Sequence, residues 1–243
     1  METEEIREEL IKLGDKRRAD FAKRYLKSPY EFYGLRVPDI RKLTEEDKDD
    51  FYSALNTFDE LWKSGNHEEM SFALYLIRKF AKTNQPELWK FLIERIERIK
   101  TWDHADEISA HILGVIVRDN LQLIKEIKEM SESKNPWMRR ISIVSTYPLI
   151  KENKNELTLR LAERLVYDNN IYVQKGAGWM LREMGKKNRL ALRDFLMMHL
   201  DMKPIAFSYA TEKMTELRNI KKETAKKQRE KLKEEAKTKK KRK

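Results

Sequence analysis

Four aromatic residues, Trp102, Trp137, Tyr172 and Phe207, stand at intervals of 35 residues, each within a few residues of the start of a predicted helix. A constant period of this size marks a repeated supersecondary unit, because two helices of about a dozen residues and two turns fill roughly 35 to 40 positions. One such unit cannot bury its own apolar face, so successive units must stack, and the fold is constrained to a linear array before any other residue is considered. The breaks at Ser64-Gly65-Asn66, Thr83 to Pro86, Lys134-Asn135-Pro136, Lys151 to Asn155, Asp168-Asn169-Asn170 and Lys203-Pro204 carry the Asn, Asp, Gly and Pro that cap or end helices. Between them apolar residues recur at helical spacing, as in Phe72, Leu76 and Phe80, or Leu121, Ile124 and Ile127.

Seven Gly and six Pro in 243 residues are too few for a sheet protein and its turns. The segment Ile141 to Thr146 has the composition of a strand, yet it lies in register with helices on either side and would have no partner for its backbone groups. It is expected to be helical. The predicted fold is all-α, a HEAT-like helical repeat superhelix (an α-solenoid) over residues 1–220, since no tetratricopeptide consensus accompanies the period. In such an array the second helix of each pair lines a concave surface. Trp102 and Asp106 lie one turn apart on one such helix, Arg140 one turn into the next, Lys175 and Trp179 on the one after, and all are expected to face one groove.

The chain carries a net charge of +11, but thirteen Lys/Arg and four Glu fall within residues 221–243, which leaves only +2 for residues 1–220. This Lys-rich tail or helix extension attracts any polyanion, or simply solubilises the chain; composition does not separate the two. Without cysteine there is neither a disulfide nor a thiolate metal site. The charged opening METEEIREEL is no signal segment, and no apolar run approaches the roughly 18 to 20 residues of a membrane span. A cytoplasmic, nucleoid-associated prokaryotic protein with no membrane partner is expected.

Thr101-Trp102-Asp103-His104-Ala105-Asp106, followed by Ile108 to Gly114, resembles the Trp-Asp-x-x-Asp signature of the AlkD-like DNA glycosylases, the HEAT-like DNA alkylation repair family. Further pieces match in the same order: Tyr33 to Arg41, Trp137 to Arg140, Gly176 to Glu183, and Ser208 to Lys213. The resemblance runs from about residue 15 to about residue 217. It implies hydrolysis of the N-glycosidic bond of cationic N3- or N7-alkylated purines in double-stranded DNA, by a monomer, without cofactor or metal. It places the catalytic carboxylate on Asp106, its aromatic partners on Trp102 and Trp179, and DNA contacts on Arg139, Arg140 and Lys175, with Arg140 expected to clamp a phosphate.

Each residue type has a plainer use. Asp106 is either that carboxylate, open to the groove, or a helix-start acid complementing the dipole, a role Asp103 fits better. Trp137, Tyr172 and Phe207 serve helix packing in the first instance. His104, Asp106 and His111 lack the spacing and company of a metal site. Pro38 is read as a helix start and Arg41 as an ion pair. The alternative to a glycosylase is a non-catalytic HEAT-like scaffold that binds DNA or other proteins.

Overall fold

The computed structural model describes residues 1–224 together with Lys226 and Glu230, so the expected tail lies almost entirely outside the described residues. Among these residues there is no strand; the only sheet-like pairing is an isolated bridge between Glu31 and Asn66. No helix is long and apolar enough to cross a membrane. The protein is all-α, as its composition predicts, and its described residues pack as two compact units that divide between Glu152 and Asn153.

In the first unit, α1 (Thr3–Lys12), α2 (Lys16–Leu26), α3 (Val37–Glu46) and α4 (Phe51–Lys63) lead to α5 (His67–Arg78). After α6 (Gln85–Ile93), α7 (Trp102–Ile108) runs through a π-helical turn, Ser109–Leu113, into α8 (Gly114–Asp119). Then come α9 (Ile124–Ser131), α10 (Pro136–Val144) and α11 (Tyr147–Lys151), so the strand-like stretch at 141 is indeed helical. Helix α5 packs on α7 and α7 on α10, while α4 and α9 back α5 and α10 from the other side. This is the two-layer repeat that the 35-residue period requires.

Burial shows which layer is inner. Ten of the twelve residues of α5 are buried, leaving only Tyr75 and Arg78 partly open, so the helix is covered on nearly all sides. Along α7 and α8 the partly open residues up to Arg118 are Trp102, Asp103, Asp106, His111, Val115 and Arg118. The step of five from Asp106 to His111 is the work of the π turn, which admits one extra residue and keeps the stripe on one face.

Asparagine starts α5 and α10. Asn66 accepts from the backbone N–H of Glu68 and Glu69, and Asn135 from that of Trp137. The periodic aromatic at 137 thus sits two residues behind its cap. Pro38 opens α3, as expected.

The loop before α3 is fixed from below. Glu68, 2 % exposed, accepts from the backbone N–H of Tyr33, Gly34 and Leu35. Gly34 has φ 89°, and a Cβ there would meet Asp15 O at 2.1 Å and Ala19 N at 2.6 Å. Gly34→Ala is therefore expected to cost about 3 kcal/mol or more, from the left-handed backbone and the clash together. Urea denaturation of the two proteins checks it; a loss under 1 kcal/mol, well short of that estimate, would show the loop relaxing freely.

The second unit holds α12 (Glu156–Leu165), α13 (Ile171–Lys187), α14 (Arg189–Met198) and α15 (Pro204–Ala210). Asn170 caps α13 through the N–H groups of Tyr172 and Val173, which repeats the device at Asn135. Helix α13 lies tightly on α15 because Gly178 has no side chain: a Cβ there would come within 2.4 Å of Ala206 O.

Candidate active site

The packing of α7 on α10 brings together two residues that are 34 apart in sequence. Arg140 Nε donates to Asp106 Oδ1 and Arg140 Nη2 to Asp106 Oδ2, both at 2.8 Å. Such a two-pronged contact holds a carboxylate in one orientation, and only arginine has the planar fork to make it. The Asp106 side chain is 17 % exposed and that of Arg140 6 %. The carboxylate is recessed, not open to a groove as expected, but it is not sealed. Burial pushes its pKa above the ordinary carboxylate value, while the field and hydrogen bonds of Arg140 pull the other way.

Trp102 lies one turn before Asp106 on the same face and is partly open. Tyr25 of α2 meets its indole edge-on, with centroids 6.1 Å apart, and Phe21 stacks on Tyr25 at 6.0 Å. Phe21 and Tyr25 are each 63 % exposed, so this aromatic ladder faces solvent instead of filling a core. Neither residue lies in a motif of the sequence. The available signal was an i, i+4 aromatic pair within the cationic run KRRADFAKRYLK.

The remaining expected residues are placed as follows. Arg139, next to Arg140, points elsewhere: its Nη1 donates to the carbonyls of Ser133 and Lys134, bracing the turn before α10. Arg140 is turned inward to Asp106, so a phosphate contact would fall to donors other than Nε and the Nη2 bond just described. Trp179 and Lys175 are on α13 of the second unit, both partly open. The Trp179 Nε1 donates to Glu183 at 3.2 Å, and Lys175 lies over the rings of Tyr172 and Tyr209 at 5.9 and 5.7 Å.

Beneath Asp106 is a buried polar network. His67 Nε2 and Asp103 Oδ2 are 2.8 Å apart, the His67 and His104 rings stack at 4.2 Å, and His104 Nε2 is 2.9 Å from Ser71 Oγ. Asp103 is thus more than a helix-start acid; it ties α7 to the cap of α5. Burial tends to raise the Asp103 pKa, but the His67 hydrogen bond and the fields of both imidazoles bring it well below the usual range. Burial and the neighbouring His67 push His104 down to about 3, so it is neutral at physiological pH.

His67, Asp103 and His104 bring a nitrogen or oxygen each within 4.8 Å of the others, a grouping that would interest a metal ion. Their geometry does not suit one. Imidazole lone pairs lie in the ring planes, and the two rings are stacked 14° from parallel, so the lone pairs do not converge on a shared point.

Because the unfolded His104 titrates near its ordinary value and the folded one near 3, the unfolded chain binds an extra proton in between. Stability from this group is therefore full above about pH 6.5 and is lost as pH falls. Between pH 6.5 and 5 the loss is expected to be about 2 kcal/mol. Urea unfolding across that range, with His104→Gln beside the wild type, measures it; equal slopes in the two proteins would contradict the assignment.

Residues 6–214 match the family described as DNA alkylation repair enzyme. The chain belongs to that family. A protein described as a predicted DNA alkylation repair enzyme from Enterococcus faecalis has a similar structure, with TM-score 0.73 and 16% identity over 83% of this chain and 96% of that one. AlkD2 from Streptococcus mutans matches with TM-score 0.57 and 18% identity, over 78% and 94% of the two chains. The protein smu.31 from Streptococcus mutans UA159 does so with TM-score 0.56 and 20% identity, over 72% and 90%. No curated protein matches. At these identities the structural likeness establishes the helical repeat fold of the DNA alkylation repair enzymes, and the family assignment rests on the sequence match.

Proposed function

We propose that this DNA alkylation repair family member is a glycosylase that hydrolyses the N-glycosidic bond of cationic N3- or N7-alkylated purines in duplex DNA. The observation that carries the proposal is the recessed, rigidly oriented carboxylate of Asp106 beside an open aromatic ladder. An alkylated purine already bears a positive charge, so its bond to C1′ is weakened and the leaving base needs no proton. What remains is to stabilise the cationic sugar that develops as the bond breaks and to admit water to C1′.

Asp106 is suited to both tasks. Arg140 occupies one direction of each carboxylate oxygen, and further lone pairs remain for a sugar and a water. Preorganised charge of this kind, in a site poor in water, contributes a few kcal/mol to a transition state. As C1′–N cleaves, the bonding pair neutralises the departing base. Water then adds to C1′, and its proton passes to Asp106 and on to solvent. The products are a free base and an abasic site.

Trp102 and Tyr25 would lie against the cationic lesion, where an aromatic face is worth roughly 0.5 to 2 kcal/mol. Arg140 positions Asp106, Trp179 keeps its assignment as an aromatic partner of the reaction and Lys175 as a DNA contact, while Arg139, which braces the turn before α10, is given no DNA role. Because the lesion supplies the positive charge, the reaction as written needs neither metal nor cofactor, and one copy of the chain suffices.

The test is chromatographic detection of bases released from methylated duplex DNA. Release of 3-methyladenine or 7-methylguanine is expected. DNA binding without release would favour the non-catalytic scaffold.

A further inference from the structure

The helix that carries Asp106 ends in a different environment. Two adjoining open basins, about 540 and 400 Å³, lie along the first unit and share Arg78 and Lys79. Their walls hold Arg41 from α3, Arg78 from the end of α5, Lys82 just beyond it, Arg118 from α8 and Lys151 from the end of α11. At the junction is Glu107, 8 % exposed, with Arg78 Nη1 at 2.8 Å, Arg41 Nη2 at 3.6 Å and His111 Nε2 at 3.9 Å from its carboxylate. Arg41 also lies over the Tyr75 ring at 5.0 Å. Glu45 in the second basin, and Glu152 and Asp119, which pair with Arg118, offset part of the positive charge, but with Lys79 counted the cations remain in excess.

A cation at a helix C-terminus ordinarily complements the dipole of its own helix. That accounts for Arg78, Arg118 and Lys151 one at a time. It does not account for their convergence on one basin, nor for Lys82 and Arg41, and a buried carboxylate that fixes two guanidinium groups is a built feature. From Asp106 to Arg118 the rise along the helix is about 18 Å. That is longer than either groove of B-DNA is wide, about 6 and 12 Å, so a surface carrying both residues can reach across a groove to the second strand.

Resting on the glycosylase reading, we infer that this basin holds phosphates of the undamaged strand while Asp106 faces the damaged one, with Glu107 as the residue that positions the gripping arginines. The basin makes the protein select duplex over single-stranded DNA. Phosphate contacts of this type fix register and carry no sequence information.

The test uses fluorescence anisotropy with undamaged duplex and single-stranded DNA of one sequence, in a salt series. Lys82→Gln, Arg118→Gln and Lys151→Gln combined should weaken duplex binding about tenfold or more and lower the log–log salt slope by up to about 2.7. The ratio of duplex to single-strand affinity should fall at least about fivefold, since only a duplex offers the basin a second strand. An unchanged ratio, whether or not both affinities fall, overturns the inference. Glu107→Gln gives an opposed sign: deleting a negative charge should tighten binding by simple attraction, whereas loss of a positioning carboxylate weakens it. Tighter duplex binding by this variant removes Glu107 from its role, and thermal melts of all variants separate binding from folding. Because undamaged DNA is the probe, absence of base release by the wild type with duplex selection intact would count against the glycosylase reading alone.

Discussion

Asp106→Asn is expected to slow single-turnover release of 7-methylguanine about 100-fold or more, a loss of roughly 2.7 kcal/mol in transition-state stabilisation. The amide keeps the shape of the carboxylate and loses its charge, which is the property the cationic sugar requires. Stability should fall as well. Arg140, buried and bound through two donors, would face a group that can accept but cannot neutralise it, and breaking one half of a buried pair costs on the order of 3 kcal/mol. A helix-dipole role for Asp106 predicts the stability loss with excision intact, so rates measured well below the melting temperature separate the two. The pH profile offers a check on the same carboxylate. Burial raises its pKa, so the acidic limb of excision should lie above about pH 3.9, the ordinary value for Asp, and should vanish in the Asn protein.

Arg140→Lys should reduce excision about 10- to 100-fold although it conserves the charge. An ammonium reaches one carboxylate oxygen as a point charge, whereas the guanidinium holds both, so Asp106 would regain rotational freedom. If Arg140 acts by positioning Asp106, duplex affinity should remain within about threefold of wild type while the chemical rate falls. A drop in affinity that matches or exceeds the drop in rate would instead restore the phosphate clamp that the sequence resemblance implied.

The contrast between Arg139 and Arg140 illustrates where the sequence stopped being informative. The 35-residue spacing placed Asp106 and Arg140 within one position of equivalent points of successive repeats, and it identified the inner helices because periodicity and helix caps are local properties. Which of two adjacent arginines turns inward depends on how α10 rotates against α7, and that is set by packing. In the structure Arg140 binds Asp106 and Arg139 braces a turn. The π turn at Ser109–Leu113 is likewise not a property of composition, yet it decides that His111 follows Asp106 on the open face.

Other features were hidden for a different reason. Phe21 and Tyr25 would ordinarily be assigned to a core, and only the fold shows that they are exposed and that Tyr25 meets Trp102. The pairing of His67 with Asp103 joins residues one repeat apart whose types suggest catalysis, while the burial of His67 and its stacking on His104 show a structural tie. Glu107 carries no motif in the sequence, and only the fold shows the two guanidinium groups and the imidazole around it.

The most direct test of the central claim is the dependence of excision on the charge of the lesion. His104 beneath Asp106 is held neutral, Asp103 is held ionised, and Arg140 is committed to the carboxylate, so the mechanism assigns no group to protonate a leaving base. Single-turnover excision should be measured on two duplexes of identical sequence, one carrying 7-methylguanine or 3-methyladenine and the other a neutral alkylated purine such as O6-methylguanine. The account predicts release of the cationic base and none of the neutral one above the rate without protein. Release of both at similar rates would contradict the electrostatic mechanism, and release of neither would contradict the glycosylase itself.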